Sequence, residues 1–264
     1  RQITSGGFDE IGEIRRRLGD LAAAEEAYGR ANELGSDPQP GLALLRLAEG
    51  KVGAATAGIT RSLEEAEQTP ARLRRLPAQV EISVAAGDLK TARAAAAEFE
   101  NLVDSYTIGG RRAPAFEAIA NLADGRIRLA EGDAAGAAQS LRHARDGWKD
   151  LGAPYEAAEA RVLLALAFRR LGDEHAADVA ERRVEAQALD VANELFDPVD
   201  LATALDLDGH GAAVTVAVHE VDGADRRRVL PAYEAQAVTE RLRVVGEQLL
   251  QVLLDAVLLQ AGVD

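Results

Sequence analysis

The chain is 264 residues long, 47% hydrophobic and 28% charged, the balance of a globular fold with a sizeable core. Alanine fills 54 positions while aromatics make up 4%, so that core must be aliphatic and small-sided, and eight prolines leave long helices unbroken. The absence of cysteine excludes disulfides, thiolate metal sites and cysteine nucleophiles, and 30 basic against 44 acidic residues argue against general affinity for nucleic acid or anionic membranes. No apolar run is long enough to span a bilayer. Arg1 opens a chain without methionine, as expected of an excised portion of something longer, and no leader pattern precedes the first element, so a cytoplasmic setting is expected. The charge is uneven: residues 1–184 carry 25 basic and 29 acidic side chains, residues 185–264 carry 5 and 15.

From the first residues onward a short punctuation recurs: Leu18-Gly19-Asp20, Glu49-Gly50-Lys51, Ala86-Gly87-Asp88, Glu131-Gly132-Asp133 and Leu171-Gly172-Asp173. Five residues after each glycine stands an alanine (Ala24, Ala55, Ala92, Ala137, Ala177), and seven before it stands Gly12, Ala43, Val80, Gly125 or Ala165. Twelve after it come Ala31, Ser62, Phe99, Ala144 and Val184. An antiparallel helix pair asks for this pattern. Glycine closes the first helix in a left-handed conformation, aspartate caps the second, and small residues sit where the two backbones approach. The spacing predicts an all-α stack of five antiparallel helix pairs over residues 1–190, wound as a right-handed superhelix.

These positions resemble the tetratricopeptide repeat. The first unit carries Gly12, Gly19-Asp20, Ala24, Tyr28 and Ala31 where that family keeps Gly, Gly-Asp, Ala, an aromatic and Ala. The fourth matches through Gly125, Gly132-Asp133, Ala137, Leu141 and Ala144, the fifth through Leu164, Ala165, Phe168, Gly172-Asp173 and Ala177. The second and third are degenerate, and the family's early tryptophan is missing throughout; Trp148 ends a second helix instead. The phrases Pro38–Gly50 and Leu151–Leu164 are similar to the helical-repeat region of large bacterial LuxR-type transcriptional regulators. That resemblance covers residues 8–185. It implies a sensor and coupling arm between an ATP-binding module and a helix-turn-helix DNA-binding domain. Twenty-seven arginines against Lys51, Lys90 and Lys149 fit a high-GC bacterial source. Neither flanking module is readable here: Leu45 and Val52 exclude Gly50-Lys51 from a phosphate-binding loop, and no helix-turn-helix pattern follows the repeats. Direct nucleic-acid binding is therefore not expected of this chain, and a free-standing repeat adaptor that scaffolds proteins stands as the alternative role.

Beyond residue 190 the punctuation stops. Residues 191–232 read as an acidic linker with a short strand, Val214, Val216 and Val218 alternating over residues 212–221, with no apolar partner strand evident after Asp222-Gly223. Residues 233–264 read as an amphipathic C-terminal helix whose Val238, Leu242, Val245, Leu249, Val252, Ala256 and Leu259 keep a heptad seam. That helix either caps the solenoid or pairs two copies of the chain as a homodimer. A shifted reading frame would also produce such a break in charge and pattern.

No constellation for catalysis or cofactor binding emerges, and neither an enzyme activity nor a cofactor is expected. Asp206-Leu-Asp208-Gly209-His210 lacks the third acid and the correctly placed glycine of a calcium loop, and His210 with His219 has no metal-ligand spacing. Ser140 and His143 share a helix face with nothing to orient the base. In a repeat solenoid the first helix of each pair lines a concave groove, which makes Arg15, Arg46, Arg126, Arg128 and Arg161 the candidate contacts for a protein, a peptide or a small effector there. The competing reading is that the arginines pair with neighbouring acids, as Glu13 and Arg17 would at i, i+4.

Overall fold

The computed structural model describes residues 5–105, 112–195, 213–216 and 228–231. Ten helices occupy the described residues: α1 (Ser5–Arg17), α2 (Leu21–Glu33), α3 (Gly41–Ala48), α4 (Val52–Glu65), α5 (Thr69–Ala85), α6 (Leu89–Asp104), α7 (Pro114–Glu131), α8 (Ala134–Asp150), α9 (Pro154–Arg170) and α10 (Glu174–Leu195). None is long and apolar enough to cross a membrane. Described residues through Glu181 belong to one compact unit and those from Arg182 to a second, so the first ends inside α10 and short of residue 190.

In the first unit each recurring glycine joins two helices into a hairpin. Gly19, Gly50, Gly87, Gly132 and Gly172 all have positive φ, the conformation that glycine adopts without a Cβ penalty. All five turns close with the same pair of bonds. The glycine amide donates to the carbonyl three residues back, and the next amide donates five back, as Gly132 does to Leu129 and Asp133 to Arg128. The aspartates then cap the second helices: Asp20, Asp88, Asp133 and Asp173 accept from Ala23, Thr91, Gly136 and Ala176 at 2.9–3.2 Å. Lys51, in the second turn, supplies no side-chain cap.

The predicted columns are the seams of these hairpins. Ala24, Ala55, Ala92, Ala137 and Ala177 are wholly buried, and so, nearly, are Ala31, Ser62, Phe99, Ala144 and Val184. Register is antiparallel: a Cβ on Gly125 would meet Leu141 at 2.6 Å, while one on Gly147, further along α8, would meet Ala118 near the start of α7. In α1–α2, Gly12 lies against the Tyr28 ring in the same way. The main apolar cluster runs from Ala43 in α3 to Ile127 in α7, with Leu76, Val80, Ile82 and Phe99 at its centre. Consecutive helices pack on one another through α9, and α1, α3, α5, α7 and α9 also touch in that order, forming a row of first helices.

The second unit contributes the C-terminal part of α10 and a two-stranded antiparallel sheet, β1 (Ala213–Val216) and β2 (Arg228–Pro231), with Val214 opposite Leu230 and Thr215 opposite Val229. The strand expected within 212–221 is thus present but short. It does have a partner strand, contrary to expectation, because Val229 and Leu230 stand just behind the arginine run that ends at Arg228. The acidic stretch 196–211 and the helix expected over 233–264 lie outside the described residues.

Candidate functional site

The row of first helices encloses a groove of about 760 Å³, lined by side chains from α1, α3, α5, α7 and α9 and by Trp148 at the end of α8. Its walls are largely apolar, with Leu44, Leu73, Phe116, Ile119 and Leu122 exposed to it. Phe116 is held edge-on by Phe99 behind it, with ring centroids 6.0 Å apart. Pro77 also faces the groove from inside α5, a position where the helix loses one backbone donor.

The two ends of the row meet. Arg17, in the last turn of α1, donates to Glu156 in the first turn of α9 at 3.0 Å, and its guanidinium lies 4.6 Å from the centroid of the Tyr155 ring. The same arginine donates to Glu13 Oε1 at 2.8 Å, and Arg16 donates to that oxygen at 2.6 Å and to Oε2 at 3.3 Å. Tyr28 donates its hydroxyl to Glu13 at 3.1 Å, which ties this clasp to the α1–α2 seam. Burial alone would raise the Glu13 carboxyl. The Arg16 and Arg17 guanidiniums overcome it and hold the group down at about 2.

Deeper in the groove, Arg126 of α7 is 5% exposed and sits between two carboxylates. It donates to Glu159 of α9 and lies 3.4 Å from Glu81 of α5. Two acids thus converge on one buried guanidinium in a desolvated place. Burial pushes the Glu159 carboxyl above the usual range, with Arg126 opposing and Glu81 adding to the rise. Beside it, burial and then the Glu159 charge raise the Tyr155 phenol to about 12. At the outer edge Arg74 reaches Asp9 at 3.8 Å.

Of the five arginines named from sequence, the structure brings Arg126 to the groove wall. Arg15 lies 3.3 Å from Asp20 at the first turn, Arg46 bridges Glu25 and Glu49 at 2.5 and 2.8 Å, and Arg128 bridges Asp124 and Asp133 at 2.6 and 2.8 Å. Those three brace hairpin turns instead, because a helix residue one or two places along from a groove position points away from it. Arg161 is half-buried on α9 and is not among the groove residues. The pairing of Glu13 with Arg17 is present as expected. Arg16, Arg17 and Arg74 also line the groove, as do Glu81 and Glu159, none of which stands in a recurring column of the sequence.

Ser140 donates to Asp124 at 2.7 Å, so its hydroxyl serves the α7–α8 seam and not His143. Among the described residues no three histidine, aspartate or glutamate side chains gather as metal ligands; Asp206, Asp208, His210 and His219 lie outside them. Neither a family model, a curated protein nor a solved structure matches the chain.

Proposed function

We propose that residues 5–181 form a tetratricopeptide-like repeat domain that binds an effector or a partner segment in this groove, as the sensor and coupling arm of a LuxR-type transcriptional regulator in the cytoplasm. The role is binding, not turnover. One observation carries it: five first helices converge on a single groove whose two ends, α1 and α9, are joined by one clasp through Arg17. A ligand that packs against several of these helices at once selects one curvature of the row. The clasp turns that selection into a defined spacing of α1 and α9, which modules attached beyond the repeats would read as a population shift. The recurring turns and the resemblance of Pro38–Gly50 and Leu151–Leu164 to such regulators support the assignment.

The chain has no cysteine, so two introduced at the exposed Arg15 and Lys149 positions accept spin labels without background. Small organic compounds would be screened for raising the melting temperature of the chain, and counter-screened on Leu73→Trp, which fills the groove. A sensor gives compounds that stabilise the parent alone and change the distance between the labels. If protein segments bind and no small molecule does, the chain is the scaffold of the alternative reading. If Leu73→Trp leaves all binding intact, the groove is not the site.

A further inference from the structure

We infer that the groove takes a small organic cation, an apolar body carrying one positive charge, with that charge seated beside Glu81 and Glu159. This deepens the proposed sensing role and rests on it. The volume, about 760 Å³, lies in the range of small-ligand sites, and the apolar walls supply the contact area for the body. Charge decides the rest. Six carboxylates face the groove against four guanidiniums. Every one of those guanidiniums is already engaged: Arg126 by Glu81 and Glu159, Arg17 by Glu13 and Glu156, Arg16 by Glu13, and Arg74 by Asp9. An anion would have to displace one of these carboxylates and then face the others at short range in a poorly screened cavity. A neutral guest leaves the excess negative charge buried. A cation at the floor adds positive charge beside the two acids around Arg126, and the Trp148 ring lining the same cavity offers it an aromatic wall.

The test is calorimetric titration of the whole chain with three probes of equal length: n-octylammonium, 1-octanol and octanoate. The expected order of affinity is octylammonium, octanol, octanoate, with at least a tenfold gap between first and last. Leu73→Trp should abolish all three. Glu159→Gln and Glu81→Gln should each narrow the gap several-fold. Because these two disturb a buried ion pair, their melting is followed by circular dichroism. Glu10→Gln, exposed on the groove side of α1, lowers the same charge without touching Arg126 and should narrow the gap less. Octanoate binding as tightly as octylammonium, or a gap unchanged in all three variants, overturns the inference. If the probes bind without charge preference and Leu73→Trp still abolishes binding, the sensing role survives and the cation does not. If nothing binds the parent, or Leu73→Trp changes nothing, both fail.

Discussion

The fourth and third hairpins solve one packing problem in opposite ways. In α7–α8 the first helix offers Gly125 and the second lays Leu141 over it. In α5–α6 the same register pairs Val80, within the main apolar cluster, with Ala96, which is partly buried against that cluster. Gly12 under Tyr28 repeats the fourth arrangement with a still larger guest. What recurs is therefore the combined size of a pair, not a residue type, because two helices at fixed separation leave room for one bulky side chain between them. A unit that looks degenerate at one position is complete once its partner is read with it. The alanine five residues after each turn glycine has no such freedom: it is alanine in all five hairpins and wholly buried in each.

The largest effect is expected where no partner can yield. Ala137→Trp puts an indole into a seam packed on all sides, and overpacking of this size should cost about 3 kcal/mol or more. The fourth hairpin should lose its cooperative melting by circular dichroism, and no single truncation on α7 should restore it. A variant that melts like the parent would show that this alanine does not mark the crossing.

The paired position should behave differently. Gly125→Ala gains about 1 kcal/mol of helix propensity but drives a methyl against Leu141, an overpacking that costs about 1–3 kcal/mol, so the net change in the parent is a loss. In a Leu141→Ala background the obstruction is gone and only the gain remains, so the same substitution should become stabilising. Chemical denaturation of the four members of this cycle reads the change of sign. Equal losses in both backgrounds would mean that the two positions are not complementary.

These contrasts also mark what could be read without coordinates. Turn glycines, capping aspartates and seam alanines are dictated locally, by φ, by orphan amides and by one-dimensional spacing, so they stand out in the sequence. The groove is not local. Arg17 meets Glu156 across 139 positions, and Arg15-Arg16-Arg17 is one run whose members point about 100° apart around the helix. Arg15 turns to the surface while Arg16 is mostly covered, and nothing in the run says which is which. Glu81 and Glu159 come together only because α5, α7 and α9 lie side by side, so the charged residues of the groove floor stand outside the columns that the turn glycines mark.

The clasp should show itself in acid. Glu13 is half-buried, which works against its charge, yet Arg16 and Arg17 hold its folded pKa near 2, below the ordinary value of 4.5. A depressed folded pKa contributes stability that is fully present above about 4.5 and disappears as pH falls toward 2. Thermal midpoints measured from pH 6 down to pH 2 should therefore fall, and Glu13→Gln should start lower and fall less. Parallel curves for the two proteins would remove Glu13 from the account.

The smallest effect sharpens the comparison of hairpins at their turns. The fourth turn has Asp133 as cap and the second has Lys51, although both close with the same glycine-centred bonds. Lys51→Asp should add the missing cap. A side-chain acceptor at this position contributes about 1 kcal/mol, and a negative charge at a helix start adds a few tenths more. Against it stands the loss of the Lys51–Glu49 contact at 3.1 Å, a surface pair of little value, and a new repulsion from Glu49 that Arg46 continues to neutralise. The balance favours the aspartate by about 0.5 kcal/mol, a rise in midpoint of a degree or two, while Asp133→Ala should move the midpoint the other way. If Lys51→Asp lowers the midpoint instead, Lys51 is there to hold Glu49 and Arg46 in place, and the second hairpin has exchanged its cap for a charge network.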